Sequence, residues 1–265
     1  MIPAKPESRS TSPAPSRLFA FSNERSKTIG SRRGSGIFSG LRPLERMTEA
    51  MNLFEDPIEL DRTQESLGPR AVVLRGFARS EAPAVLHALQ AVTAAAPFRY
   101  MTTPGGFRMS VAMTNCGAVG WVTDASGYRY DTIDPESGDH WPGMPACFAE
   151  LATCAATEAG FAGFAPDACL INRYDPGARL TLHQDRDEKD FDAPIVSVSL
   201  GVPAVFLFGG LKRADRSRRV PLWHGDVVVW GGPDRLRYHG VMPLKEGQHP
   251  ALGRQRINLT FRKAT

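Results

Sequence analysis

The sequence predicts a mainly β chain, a sandwich or jelly roll whose helices come ahead of the strands. Three observations carry this. From Cys169 onward the chain breaks into short strand-like segments punctuated by Gly, Pro and Asp. The helical patterns precede that region and do not alternate with it, which argues against a doubly wound parallel sheet. Finally, Arg256, Asn258, Thr260 and Arg262 fall on one face of an extended segment and Ile257, Leu259 and Phe261 on the other, the alternation of a half-buried strand.

Residues 1–46 hold nine Lys or Arg against three acids, net +6, so the whole-chain charge of +4 leaves −2 on residues 47–265. The sequence pI near 9.0 therefore reflects this stretch and says nothing of a basic catalytic domain. Rich in Ser, Pro, Gly and Arg and without hydrophobic periodicity, it is expected to be a disordered basic extension. An organelle transit peptide, a true start at Met47 or Met51, or an accessory nucleic-acid contact are the other readings. Residues 47–265 are expected to form one domain, whose 42% hydrophobic content for the whole chain allows a packed core. Cys116, Cys147, Cys154 and Cys169 form no C-x-x-C pair and read as reduced, mostly buried residues, which points to a cytoplasmic setting. No run of about eighteen apolar residues offers a spanning helix, so no membrane partner is expected.

Within the domain, Ala71–Phe77 reads as a strand, and Ser80 is placed to cap a helix reaching about Ala96, with Pro83 in its first turn. Gly105-Gly106, the Gly117–Trp121 stretch and Gly127-Tyr128-Arg129-Tyr130 suggest a flexible, aromatic-bearing lid over about residues 97–140. A second helix spans about Met144 to Ala159, with Phe148, Leu151 and Ala155 at helical spacing and Gly160 as its stop. Strands follow at 169–174, 195–200, 204–208, 227–230, 237–242 and 256–262. Lys212, Arg213, Arg216, Arg218 and Arg219 fall on a loop between two of them, either a solvated hairpin or a grip on phosphates.

Few residues carry the chemistry. In extended chain, positions two apart share a face, so His183 and Asp185 project together from the Arg179–Asp185 segment, with Asp187 next in line. With His239 they supply two imidazoles and a carboxylate. On one face of Fe(II), such a set leaves the opposite positions for a co-substrate and O2. The same donors suit catalytic zinc with a bound water, and a lone His-x-Asp is a weak signal that also fits a histidine and a solvated acid at a strand end. Arg256 and Arg262 add information. If their face looks into a cavity, two guanidinium forks suit a dicarboxylate such as 2-oxoglutarate, which the zinc reading leaves unexplained. Asn172 and Tyr174 share a face of the Cys169–Tyr174 segment and offer polar contacts to that acid or to neighbouring backbone. Trp230, at the end of an all-apolar run, is equally good as core or pocket cover, and His87, His140, His224 and His249 read as helix-surface or turn residues.

These residues sit in a longer match. Pro104-Gly105-Gly106, Met109–Gly117, Gly120-Trp121, Leu170–Tyr174, His183-Gln184-Asp185, Phe208–Arg213 and Asn258–Arg262 together resemble the AlkB family of 2-oxoglutarate- and Fe(II)-dependent dioxygenases, which repair alkylated nucleic-acid bases. The resemblance runs from about Met51 to Arg262. It implies a double-stranded β-helix (jelly-roll) core with a nucleotide-recognition lid, iron held by His183, Asp185 and His239, and 2-oxoglutarate held by Leu170, Asn172, Tyr174, Arg256, Asn258 and Arg262. It also implies substrate contacts from Trp121, Tyr128, Tyr130, Asp187 and Arg213. One departure is Arg186, where the best-known member has lysine, also a cation. The implied reaction is oxidative demethylation of 1-methyladenine- and 3-methylcytosine-type lesions with Fe(II), O2 and 2-oxoglutarate, releasing succinate, CO2 and formaldehyde. An extruded base needs an aromatic surface in place of its stack, and a methylated cationic base favours both an aromatic face and Asp187.

Other readings stand beside this one: a 2-oxoglutarate-dependent hydroxylase of a protein or small molecule, and a nucleic-acid-binding module with a structural metal. DNA against RNA and single against double strand stay open, and a monomer without an obligate protein partner is the default.

Overall fold

The computed structural model describes residues 63–265; the extension expected over residues 1–46 and the candidate starts Met47 and Met51 lie outside the described residues. The described elements are β1 (Gln64–Gly68), β2 (Ala71–Leu74), α1 (Ala82–Ala95), β3 (Ala112–Gly117), β4 (Gly120–Asp124), β5 (Gly127–Asp131), α2 (Ala146–Glu158), β6 (Ala168–Tyr174), β7 (Leu180–His183), β8 (Ile195–Gly201), β9 (Ala204–Phe208), β10 (Arg218–Leu222), β11 (Val227–Trp230), a 3-10 turn at Gly232–Asp234, β12 (His239–Val241) and β13 (Arg256–Arg262). A seven-stranded sheet runs β1-β2-β11-β8-β13-β6-β3, a four-stranded sheet runs β10-β9-β12-β7, and β4-β5 form a separate hairpin. The named pairings are antiparallel. Two antiparallel sheets whose neighbours are mostly non-consecutive give the jelly roll that the sequence predicts. Among the described residues no helix is long and apolar enough to cross a membrane.

The large sheet is a middle layer, and residue parity decides which way each side chain goes. Val196, Val198 and Leu200 of β8, Val227 and Val229 of β11, and Ile257, Leu259 and Phe261 of β13 pack with Val85, Leu89 and Val92 of α1 and with Phe148, Leu151 and Ala155 of α2. Their alternates turn the other way, where Leu170, Tyr174, Ile195, Val228 and Trp230 meet Phe206, Phe208 and Val241 of the small sheet. Phe261 is fully buried, and a side chain of that kind contributes about 1.5–3 kcal/mol.

β13 departs from the half-buried expectation, because all seven of its residues are buried. It lies between β8 and β6 in the interior of the sheet, so its polar face looks into the space between the sheets and not into water. The first predicted strand also stops at Leu74: Arg75 turns aside to pair with Asp226 at 2.6 Å, and Gly76 takes a φ of 60°. The strand expected over 237–242 is the shorter β12. Ser80 does not cap α1. Glu81 precedes the helix without a side-chain cap, and the Ser80 hydroxyl donates to the Glu81 carboxylate at 2.8 Å. α2 ends as predicted, with Gly160 at a φ of 81° and the Phe161 N–H reaching back to the Ala156 carbonyl at 2.8 Å.

Asp167, just before β6, ties down the end of the chain: its carboxylate accepts from the Ala264 N–H at 2.6 Å, the Lys263 ammonium at 2.8 Å and the Thr265 N–H at 3.1 Å. Burial alone would raise its pKa, but these donors together hold it below the ordinary value of 3.8. Asp167→Ala should therefore lower stability by about 1–3 kcal/mol at neutral pH. Since the folded-state pKa is the depressed one, this contribution is present above about pH 4 and lost as acidification protonates the folded carboxylate. Urea midpoints of parent and variant should differ at pH 7 and converge in acid; a pH-independent difference would refute the assignment.

Candidate functional site

A cavity of about 650 Å³ opens between the two sheets, lined by β6, β8 and β13 on one side, β7, β9 and β12 on the other, and residues of the β4–β5 hairpin. The small sheet places the histidines. His183 on β7 and His239 on β12 are directly opposed, with ring centroids 4.5 Å apart. A register shift between the two strands follows, and Gly240 allows the close approach there, since a Cβ at that position would lie 2.7 Å from the Leu180 carbonyl oxygen. Asp185 lies just past the end of β7 and still shares the face of His183, as extended spacing predicts.

The donor atoms converge. Nε2 of His183 and Nε2 of His239 each lie 3.7 Å from an oxygen of Asp185, and the three ligand atoms all fall within 4.8 Å of one another. Both Nδ1 atoms face backbone carbonyls, Thr181 O at 2.8 Å and Arg237 O at 3.0 Å. A carbonyl only accepts, so each Nδ1 carries a proton and each Nε2 is the atom turned to the common space. Burial pushes the His239 pKa down to about 4, with His183 adding to the shift and Asp185 opposing it, so the ring is neutral near pH 7. Burial would raise Asp185, but Arg262, His239 and His183 outweigh it and hold the carboxyl well below the usual range. Two imidazoles, that of His239 neutral, and an ionised carboxylate on one side of a cavity fit Fe(II) with its remaining positions open.

Next to this cluster the two arginines of β13 differ sharply. Arg256 is 2% exposed, its Nη2 donates to the Ser199 hydroxyl at 2.9 Å, and its Nε and Nη1 have no hydrogen-bond partner among the described residues. Its Cζ lies 4.9 Å from the centroid of the Tyr174 ring, whose hydroxyl is also without a partner, as is Oδ1 of Asn172. Burial lowers the Arg256 pKa and outweighs Tyr174, which opposes the shift, as for a guanidinium without an acidic counter-ion. The unmatched donors among these, Arg256 Nε and Nη1 and the Tyr174 hydroxyl, fit an acidic co-substrate, and 2-oxoglutarate answers to that chemistry. Asn258 is different, because its amide already donates to Ser197 Oγ at 2.8 Å and Val198 O at 3.0 Å, and its Oδ1 accepts from Asn172 and Thr260. Leu170, 7% exposed, supplies an apolar wall.

Arg262 does not wait for an acid as Arg256 does. Its Nη2 and Nε donate to Asp185 Oδ2 at 2.6 and 2.9 Å, and Nε lies 3.2 Å from Glu188 Oε1. Burial would lower its pKa, but Asp185, Tyr130 and Glu188 raise it. Its partner in the protein is thus the carboxylate of the histidine cluster.

At the open end, Trp121 and Tyr128 stack with centroids 5.8 Å apart and 21° between planes, and the Trp121 indole N–H donates to Asp187 Oδ2 at 2.8 Å. Tyr128 is 50% exposed. Two residues of the expected substrate set are not brought to the cavity wall. Tyr130 points its hydroxyl at Glu188 Oε1, 2.7 Å away, and Arg213 lies on the exposed β9–β10 loop with its guanidinium 6.0 Å from the Tyr238 ring. Nor is the 97–140 span one unit, because β3 within it is the edge strand of the large sheet. The sequence left Trp230 unassigned; it is 1% exposed, lines the cavity and meets the His239 ring edge-on at 5.0 Å. Ser197 and Ser199 were missed, although their alternation with Val196, Val198 and Leu200 is the signal already used for β13. Glu188 and Arg235, also missed, carry no sequence signal of burial.

Comparison with known proteins agrees with this geometry. The pattern of the 2OG-Fe(II) oxygenase superfamily matches residues 70–262. Alpha-ketoglutarate-dependent dioxygenase AlkB of Salmonella typhimurium is 60% identical over 201 residues, covering 76% of this chain and 93% of that protein. The protein of the same description from Escherichia coli is 56% identical over 214 residues, covering 81% of this chain and 98% of its own length. The solved structure of OsALKBH1 superposes with a TM-score of 0.66 at 28% identity, covering 76% of this chain and 100% of that one. With the matched region taking in every strand of both sheets except β1, and every residue of the His183, Asp185, His239 cluster, the chain belongs to the AlkB-type dioxygenases of the 2OG-Fe(II) oxygenase superfamily.

Proposed function

We propose that the protein oxidatively demethylates N-alkylated nucleic-acid bases of the 1-methyladenine and 3-methylcytosine type, using Fe(II), 2-oxoglutarate and O2. One observation carries the reading: a single cavity joins the stacked Trp121 and Tyr128, the His183, Asp185 and His239 cluster, and the unmatched polar groups of Arg256, Tyr174 and Asn172. Iron bound with 2-oxoglutarate and O2 supplies the oxidation of a methyl C–H bond.

The protein's own groups do the rest. His183, Asp185 and His239 hold the metal from one side. Arg256, with the Tyr174 hydroxyl beside it, anchors the acid by charge-assisted hydrogen bonds, and Leu170 and Trp230 keep water from it. Trp121 and Tyr128 offer the aromatic surface an extruded base needs, and Asp187 favours a base made cationic by methylation. Arg213 and the neighbouring cations of the β9–β10 loop would meet phosphates outside the pocket. A zinc hydrolase would give Arg256 nothing to do.

Purified protein with Fe(II) and 2-oxoglutarate should release formaldehyde from oligonucleotides carrying 1-methyladenine or 3-methylcytosine; release of none would end the proposal. Trp121→Ala should raise KM for the methylated oligonucleotide by about five- to 150-fold, equivalent to about 1–3 kcal/mol of lost stacking. KM for 2-oxoglutarate should stay unchanged, and a change in both would mean that Trp121 acts on the fold and not on the base.

A further inference from the structure

The β4–β5 hairpin and the metal cluster meet at one buried acid. Glu188 is 5% exposed and has partners from three elements. Its Oε1 accepts from the Tyr130 hydroxyl of β5 at 2.7 Å and lies 3.2 Å from Arg262 Nε at the end of β13. Its Oε2 accepts from Arg235 Nη2, just past the 3-10 turn, at 3.1 Å. The same two arginines then hold Asp185 twice, Arg262 through carboxylate Oδ2 and Arg235 through the backbone carbonyl at 3.0 Å. Burial, aided by the negative charges of Glu188 and Asp185 and opposed by Arg262, keeps the Tyr130 phenol protonated and able to donate.

From this connectivity we propose that Glu188 is a positioning residue that couples the base-facing hairpin to the Asp185 carboxylate. It rests on the function proposed above. Trp121 and Tyr130 are opposed across the hairpin, so a base seated against Trp121 loads the strand pair that Tyr130 fastens to Glu188. Any shift of Glu188 alters the fork with which Arg262 grips Oδ2, and hence the orientation of the Asp185 carboxylate, whose Oδ1 faces His183 and whose Oδ2 faces His239. Arrival of the base is thereby registered at a metal ligand it does not touch, and turnover of 2-oxoglutarate is kept in step with the presence of a substrate.

The test uses the full chain with Co(II) in place of iron, in the presence of 2-oxoglutarate, and follows the visible d–d bands as a methylated oligonucleotide is added. The parent should show a substrate-induced change. Tyr130→Phe, which removes one hydroxyl, should fold, bind the oligonucleotide by fluorescence anisotropy and lose most of that change. With iron it should also release more succinate per formaldehyde than the parent. Glu188→Gln should in addition weaken Co(II) binding by about tenfold, the scale expected when a group supporting a ligand is lost. A parent without any spectral response, or a Tyr130→Phe variant with the parent's response and the parent's succinate-to-formaldehyde ratio, overturns the coupling. Failure of the proposed function looks different, because then the parent itself releases no formaldehyde from any methylated oligonucleotide.

Discussion

Arg256→Met should abolish efficient use of 2-oxoglutarate while leaving the protein without co-substrate at least as stable as the parent. The two halves have one cause. Arg256 is buried, leaves Nε and Nη1 unmatched and has a single side-chain hydrogen bond, to Ser199, beside its contact with the Tyr174 ring. A charge held in this state opposes folding, and replacing buried ionic groups by apolar ones of similar volume is often neutral or stabilising by about 1–4 kcal/mol. Loading reverses the balance, because the acid's carboxylate supplies the missing counter-ion and acceptors. Removing one partner of such a pair costs about 2–5 kcal/mol of binding, a rise of at least about thirtyfold in KM for 2-oxoglutarate. The parent should gain about 2.7 kcal/mol when 2-oxoglutarate is present at a hundred times its Kd, and the variant at the same concentration no more than about 0.9 kcal/mol. Succinate kinetics and urea denaturation with and without the acid check both halves. A variant with the parent's KM, or one several kcal/mol less stable without ligand, would sink the assignment.

That contrast also shows how far the sequence could be read. The polar stripe of β13 was legible from period two, but whether it faced water or a cavity depends on the strand's interior place in the sheet, a pairing with β6 and β8 that local pattern does not encode. Arg256 and Arg262 have the same sequence logic. They part company because Asp185 and Glu188, more than seventy positions upstream, reach one and not the other. Tyr128 and Tyr130 share a hairpin face in sequence, and only the depth of Glu188 decides that one hydroxyl is taken inward. Glu188 and Arg235 were invisible because loop charges, Glu188 among them in the charged run 185–190, read as solvated until their partners are known. The His183, Asp185 and His239 set was legible through the family resemblance, since a lone His-x-Asp is a weak signal and no local pattern singles out His239. Ser80 misled for a local reason: backbone turns run straight into α1, with the Val85 N–H bonded to the Glu81 carbonyl, so the helix begins without a side-chain cap.

Asp185→Ala and His239→Ala should both reduce metal-dependent turnover to background, yet differ widely in stability. Each removes one of three donors, and Co(II) titration should report the loss in both. His239 is a neutral ring packed beside Trp230 and Phe206, so its removal leaves a gap in a partly apolar wall and costs about 0.5–3 kcal/mol. Asp185 is the chief counter-charge of Arg262, and without it two buried guanidiniums, Arg262 and Arg235, must share Glu188. Breaking a buried pair from one side costs about 3–5 kcal/mol. The double variant Asp185→Ala/Arg262→Met removes the stranded charge along with its partner and should recover much of that loss while staying inactive. Two residues in direct contact should then show a coupling energy of about 0.5–3 kcal/mol in a double-mutant cycle. If Asp185→Ala proves no less stable than His239→Ala, or if adding Arg262→Met makes it worse, then the fork on Oδ2 does not hold this carboxylate in the folded protein, and Arg262 is available to the co-substrate after all.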